Sequence, residues 1–211
     1  MSELPQSQTP LVGIDMARDM SSAGDDAGVV LAERSDCRHY NVRGDANDSD
    51  FRKALKTVLQ NDLPAPNHCT VAAEHTLLGL GPDEWLWMSG AENADAAVTV
   101  LDTALAGLFA KFTDLSSAQT VLEVQGTNAA DVLAKGTPFD LHPREFPPGS
   151  CTQTVLAKAV VVIQRISNDT FRVIVRRSFA DYLWRWLEDA ALEYGFRIAS
   201  VGQSRSGDGT I

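Results

Sequence analysis

Four histidines and three cysteines are the side chains best suited to hold a metal or act as a nucleophile. His39, His68, His75 and His142 form no H-x-x-x-H or H-E-x-x-H, the spacings that put two imidazoles on one helix face for zinc. Cys37 and His39 are two apart and would share one face of a strand. His68 and Cys69 are adjacent and would point to opposite faces. Neither pair has further ligands nearby, so both read as surface histidines and structural thiols. No serine lies in G-x-S-x-G, and no cysteine has a nucleophile's signature. Cys37, Cys69 and Cys151 are widely spaced with no C-x-x-C, which points to reduced thiols and a cytoplasmic setting. "LGLGPDEW" (78–85) contains G-x-G but lacks the third glycine. It also falls at a hairpin turn, whereas a dinucleotide site needs its glycines between a strand and a helix. Gly44 and Gly126 do lie between a strand and a helix, but each is single and no lysine follows. They read as tight turns or close backbone approaches, not phosphate cradles. The acidic residues fall mostly on helix faces or in the N-terminal region, as solvated surface. No catalytic, cofactor-binding or metal-binding residue is therefore assigned.

The elements that would carry these residues come in two passes. Residues 1–28 are rich in turn formers and read as a flexible arm, ordered only on a partner. "VVLA" (29–32) is a short strand. "HYNVRG" (39–44) is a strand ending in glycine, and residues 45–60 form a helix with Asp48, Ser49 and Asp50 as cap groups. A loop with two prolines (61–68) stops that helix. Residues 69–89 are extended about "GPDE", a hairpin, and 91–112 form a second helix. The second pass runs through a strand at 120–126, a helix at 127–136 with Gly136 at its end, and a proline-bearing loop at 137–150. It continues with extended segments about "SNDT" (151–178), a helix at 179–195 and a closing strand at 196–202. On the last helix, Phe179, Leu183, Trp186 (or Leu187) and Ala190 are the expected inner stripe. Val42-Arg43-Gly44 matches Val124-Gln125-Gly126, and "DEWLWM" (83–88) matches "DTFRVI" (169–174). The expectation is an α+β fold of two related strand–helix–hairpin–helix modules packed side by side. Their spans are 29–112 and 113–202, and a loose tail occupies 203–211.

Charge limits the partners. The 211-residue chain carries a net −10 with no obvious Lys/Arg cluster, which argues against a nucleic-acid surface. No apolar run is long enough to span a bilayer, and the N-terminus has no secretory-signal pattern. The tryptophans suggest where a protein partner would sit. Trp85 and Trp87 share a strand face, whereas Trp184 and Trp186 point about 200° apart on a helix. One of that second pair is expected to leave its own core for an interface or for the other module.

"LAKGTPFDLHPREFPPGSCTQT" (133–154) and "FRVIVRRSFADYLWRWLEDA" (171–190) closely resemble the gamma subunit family of heterotetrameric sarcosine oxidase. The resemblance covers roughly 29–200 and is weaker in the first half. More distantly, "DLS…V-x-G" is similar to the folate-binding aminomethyltransferases. The resemblance implies an accessory subunit of a complex that oxidatively demethylates sarcosine to glycine and transfers the one-carbon unit to tetrahydrofolate. It implies alpha, beta and delta partners that hold FAD, covalent FMN, NAD and zinc, with none of these on this chain. The folate-contacting hairpin of aminomethyltransferases has the form N-x-x-G-G-x-x-D-D. The corresponding "CTQTVLAKAVVVIQR" (151–165) has neither Gly-Gly nor an aspartate. The expectation is a folate-binding fold without a working folate site. The competing reading is a free-standing, folate-binding aminomethyltransferase-like protein. His142, Arg144, Phe146, Trp184 and Trp186 are the candidate subunit contacts.

Overall fold

The computed structural model describes residues 9–11 and 27–199. Apolar alternation with period two builds two sheets, the first wholly antiparallel and the second antiparallel except for one parallel pair at its edge. The strands are β1 (Val29–Arg34), β2 (Cys37–Arg43), β3 (Cys69–Ala72), β4 (His75–Gly81), β5 (Glu84–Gly90) and β6 (Lys111–Asp114). They continue as β7 (Gln119–Gln125), β8 (Cys151–Leu156), β9 (Ala159–Arg165), β10 (Thr170–Arg176) and β11 (Phe196–Ala199). The helices are α1 (Ser49–Leu59), α2 (Ala91–Ala104), α3 (Ala129–Ala134) and α4 (Arg177–Ala191). The first sheet runs β3-β4-β5-β2-β6 and the second β11-β1-β7-β10-β9-β8.

The two sheets lie face to face between two helical layers. Odd-numbered positions of β5, such as Trp85 and Trp87, point outward and pack with Phe51, Leu55 and Leu59 of α1 and Ala94, Ala97 and Leu101 of α2. Leu86 and Met88, between them, point inward and meet Val121, Val162 and Ile174 of the second sheet. The second sheet's outer face, with Leu122, Val124, Val173 and Val175, packs beneath α3 and α4. Asp48 caps α1, its carboxylate accepting from the Asp50 and Phe51 amides at 2.8 and 3.2 Å. A cap of this type contributes about 1 kcal/mol.

Both matching glycines serve close packing. A Cβ on Gly44 would lie 2.6 Å from the Phe51 ring, and one on Gly126 would strike the Gly28 carbonyl oxygen. Gly126 also has φ +119°, a conformation open to glycine alone at little cost.

Several boundaries differ from the sequence reading. The helix expected over 91–112 stops at Ala104, and Gly107 (φ +84°) turns the chain into β6. β8 and β9 divide at a two-residue turn that opens on Ala157 (φ +53°), where no glycine or asparagine marks a break. β1 joins the second sheet, antiparallel to β7, and not the strands that follow it in sequence. β6, which straddles the expected division at 112/113, pairs with β2 of the first sheet. Part of the expected arm is packed, with Leu11 buried in the second sheet's core and Thr9 hydrogen-bonded to Glu33. The remaining arm and the tail at 203–211 lie outside the described residues.

Candidate subunit-contact surface

The segment 137–150 is irregular, yet its Leu141 and Phe146 carbonyls are anchored on one buried arginine. Arg165, at the end of β9 and 2% exposed, pairs with no carboxylate among the described residues. Its guanidinium donates to four carbonyls: Leu141 (3.0 Å), Phe146 (2.9 Å), Ser167 (3.1 Å) and Asn168 (2.7 Å). It also stacks 5.0 Å from the Phe171 ring centroid. Burial pulls its pKa below the ordinary arginine range, and Asp169 opposes that shift. The planar fork of donors suits this role, which a lysine could not fill.

Inside the loop, the Phe146 amide donates to the His142 carbonyl at 2.8 Å, closing one helical turn. Asp140 accepts from the His142 amide at 2.8 Å. The Phe146 ring points into the core, edge-on to Phe139 at 5.2 Å. His142 and Arg144 are left exposed at the tip, flanked by prolines, and Arg144 pairs with Glu145 at 3.2 Å.

The five candidate contacts therefore separate. His142 and Arg144 are exposed on a clamped loop. Phe146 and Trp184 are buried in the second sheet's core and present nothing to a partner. The reason for Trp184 is helical phase. The inner stripe of α4 is Ala180, Leu183, Trp184, Leu187, Ala190 and Ala191, while Phe179 is 40% exposed. Of the expected stripe, Leu183, Leu187 and Ala190 are buried, while Phe179 faces outward and Ala180 and Trp184 widen the inner face. The Trp184 indole keeps a polar partner, donating to Glu188 at 2.9 Å. Trp186 is half-buried, its ring filling the space over Gly136, where a Cβ would lie 2.5 Å away. Gly136 makes room for that ring in addition to following α3.

The residues first weighed for chemistry are dispersed. Cys37, Cys69 and Cys151 have free thiols. Burial pushes Cys37 upward, and contact with Cys151 together with burial raises Cys69. His39 is buried between the sheets with no partner on either ring nitrogen among the described residues, and burial lowers its pKa to about 4. His75 is buried beside Trp87 and within 3.0 Å of the Ser89 hydroxyl. His68 and His142 are exposed. Among the described residues, no cluster of three metal-binding side chains occurs, and no helix is long and apolar enough to cross a membrane. On the hairpin 151–165, where the sequence lacks the expected folate-contacting carboxylate, Val161, Val162 and Ile163 are buried. Sequence reasoning missed Arg165, because an arginine between an apolar strand and "SNDT" looks like an ordinary surface residue.

Comparison with known proteins agrees with this architecture. Residues 43–193 match the model of the sarcosine oxidase, gamma subunit family. The chain is 33% identical to a sarcosine oxidase subunit gamma of Arthrobacter sp over 183 residues, which is 85% of this chain and 88% of that one. It is 39% identical to the subunit gamma of Corynebacterium sp. (strain U-96) over 118 residues, 56% of this chain and 57% of the relative, so that match spans little more than half of either. A chain of the heterotetrameric sarcosine oxidase from Corynebacterium sp. U-96 superposes with a TM-score of 0.81 at 29% identity, covering 89% of this chain and 96% of that one. Glycine cleavage system aminomethyltransferase T from Bartonella henselae shares the fold. It has a TM-score of 0.59 at 19% identity over 83% of this chain and 48% of that one.

Proposed function

This chain belongs to the sarcosine oxidase gamma subunit family, and from that premise we propose that it is the accessory subunit of a heterotetrameric, flavin-dependent sarcosine oxidase. The assembly demethylates sarcosine oxidatively to glycine and passes the one-carbon unit to tetrahydrofolate. The alpha, beta and delta chains carry FAD, FMN, NAD and zinc. The observation that carries the reading is the near end-to-end match to a chain of a heterotetrameric enzyme, 96% of that chain at a TM-score of 0.81.

The residues present do not fit tetrahydrofolate. Val161, Val162 and Ile163 supply buried apolar surface on the hairpin, where a carboxylate would be needed to hydrogen-bond a pterin ring. The chain's role is therefore structural. His142 and Arg144, on a loop held by Arg165, together with half-buried Trp186, form part of the surface offered to the other subunits. A pre-organised loop favours docking because little conformational entropy is lost on contact.

Co-expression with the alpha, beta and delta chains tests the assignment. The expected result is a stable four-protein complex that carries all the flavin absorbance, while the isolated chain has neither flavin nor turnover. Full activity from three chains that never co-purify with this one would sink the reading. Tight calorimetric binding of tetrahydrofolate by the isolated chain would favour the free-standing alternative.

A further inference from the structure

The exposed face of α1 is basic in an otherwise acidic protein. Arg52, Lys53 and Lys56 all point to solvent, while the helix beside it, α2, exposes Asp95 and Asp102. Lys56 pairs with Asp62 at 2.9 Å. Among the described residues, neither Arg52 nor Lys53 has an ion-pair partner. These three side chains form one wall of a groove of about 720 Å³ whose other wall is the proline loop at 63–66.

The second wall is built to stay in place. The Trp85 indole, buried below it, donates to the Pro64 carbonyl at 3.0 Å. The Asn67 amide donates to the Gly79 carbonyl at 2.8 Å, and the Gly79 amide donates to the His68 carbonyl at 2.9 Å. The loop sits directly on β4 because residue 79 is glycine; a Cβ there would strike the Ala65 carbonyl. Two unpaired cations thus face a fixed, proline-walled trough. An extended acidic segment matches it in charge, and the fixed wall lowers the entropy lost on docking.

We propose that this groove receives an acidic, extended segment of a neighbouring subunit of the oxidase. The proposal rests on the accessory-subunit assignment and adds the chemistry of one docking contact. A second copy of this chain is a poorer occupant, since two chains of net charge −10 repel at long range. Opposite charge across the contact accelerates encounter and makes affinity fall with salt.

The test uses the full chain and the other three subunits of the oxidase. Arg52→Glu with Lys53→Glu is expected to lower affinity on the order of tenfold to a hundredfold and to flatten its salt dependence. Lys158→Glu, on the exposed β8–β9 turn, is expected to leave both unchanged. Trp85→Phe, which frees the Pro64 carbonyl but keeps the charges, is expected to weaken binding with the salt slope intact. Unchanged affinity and salt slope for Arg52→Glu/Lys53→Glu, in a complex that still assembles, overturns the groove and leaves the accessory role standing. Failure of the wild-type chain to assemble overturns both. Dimerisation of the isolated chain that is abolished by the same double variant overturns the choice of occupant.

Discussion

The two sheets share a strand order and differ at one edge, where the second adds β11 in parallel beyond β1. β3-β4-β5-β2 in the first matches β8-β9-β10-β7 in the second. Beyond that core, β1 precedes β2 in sequence but pairs with β7, and β6 precedes β7 but pairs with β2. Each sheet thus borrows a strand from the segment leading into the other. Neither the 29–112 span nor the 113–202 span contains all the strands of one sheet. Parting the sheets requires stripping both borrowed strands as well as opening the apolar layer of Leu86, Met88, Val121, Val162 and Ile174. The expected outcome is a single cooperative unfolding transition for the whole chain. The largest predicted effect follows, with 29–112 or 113–202 expressed alone expected to lack cooperative unfolding and dispersed amide resonances. A folded 29–112 fragment would break the comparison, because β1 would then need no partner from the other half.

The proline loops differ in the same instructive way. In the first sheet the loop is short and is seated on Gly79 by backbone hydrogen bonds. In the second it is longer and is gathered around one arginine. Replacing Arg165 with Met keeps much of the volume but leaves four carbonyls without their donor. The expected cost is about 4 kcal/mol, because orphaning buried polar groups is expensive. Denaturant unfolding would measure it, and a loss under 1 kcal/mol would show that the loop is held by Phe146 and Leu141 packing alone.

Much of this architecture was legible in the sequence, and the exceptions have physical causes. α1 carried clear helical periodicity and cap groups, and the β4–β5 turn carried Pro82 and Asp83. The strand exchange left no local signal, since pairing between distant segments is decided by packing. β6 was hidden because "LAGLFAKF" stays apolar past the end of α2. The inner face of α4 is wider than the expected stripe because Ala180 and Ala191 weigh little in a hydrophobic pattern yet are fully buried. That extra width places Trp184 in the core. The candidate surface was half legible, with His142 and Arg144 exposed and Phe146 buried. The basic groove escaped notice because its cations are dispersed among Asp48, Asp50 and Asp62 in the linear chain.

The inward faces can be compared residue by residue. Laying "DEWLWM" on "DTFRVI" sets Met88 on Ile174. Met88 stands opposite His39, and Ile174 stands opposite Val121. Where one sheet has a valine, the other has a buried imidazole without a hydrogen-bond partner among the described residues. Its folded pKa is about 4, against 6.5 for the free side chain. Between these values the unfolded chain binds the extra proton, so stability rises with pH through that window. Stability is therefore expected to fall by about 3 kcal/mol from this residue as pH drops from above 6.5 toward 4. His39→Val should remove that slope, with stability at pH 8 unchanged or slightly higher. An undiminished acid slope in the variant would assign the effect to other groups, among them His75, whose pKa burial also lowers.

The smallest effect concerns a feature the two sheets share. β3–β4 and β8–β9 each turn on two residues, and each turn opens with an alanine at positive φ, Ala73 at +48° and Ala157 at +53°. An L-residue with a Cβ is strained there by about 1–2 kcal/mol, which glycine avoids at the cost of a more flexible unfolded chain. The balance favours glycine, so Ala73→Gly and Ala157→Gly should each stabilise the chain by roughly 0.5–1 kcal/mol. The gains should add, since the turns belong to different sheets. Thermal unfolding of both single variants and the double would decide. If Ala157→Gly stabilised the chain and Ala73→Gly did not, the two turns would be alike in geometry but not in strain, and the likeness of the sheets would end at their strand order.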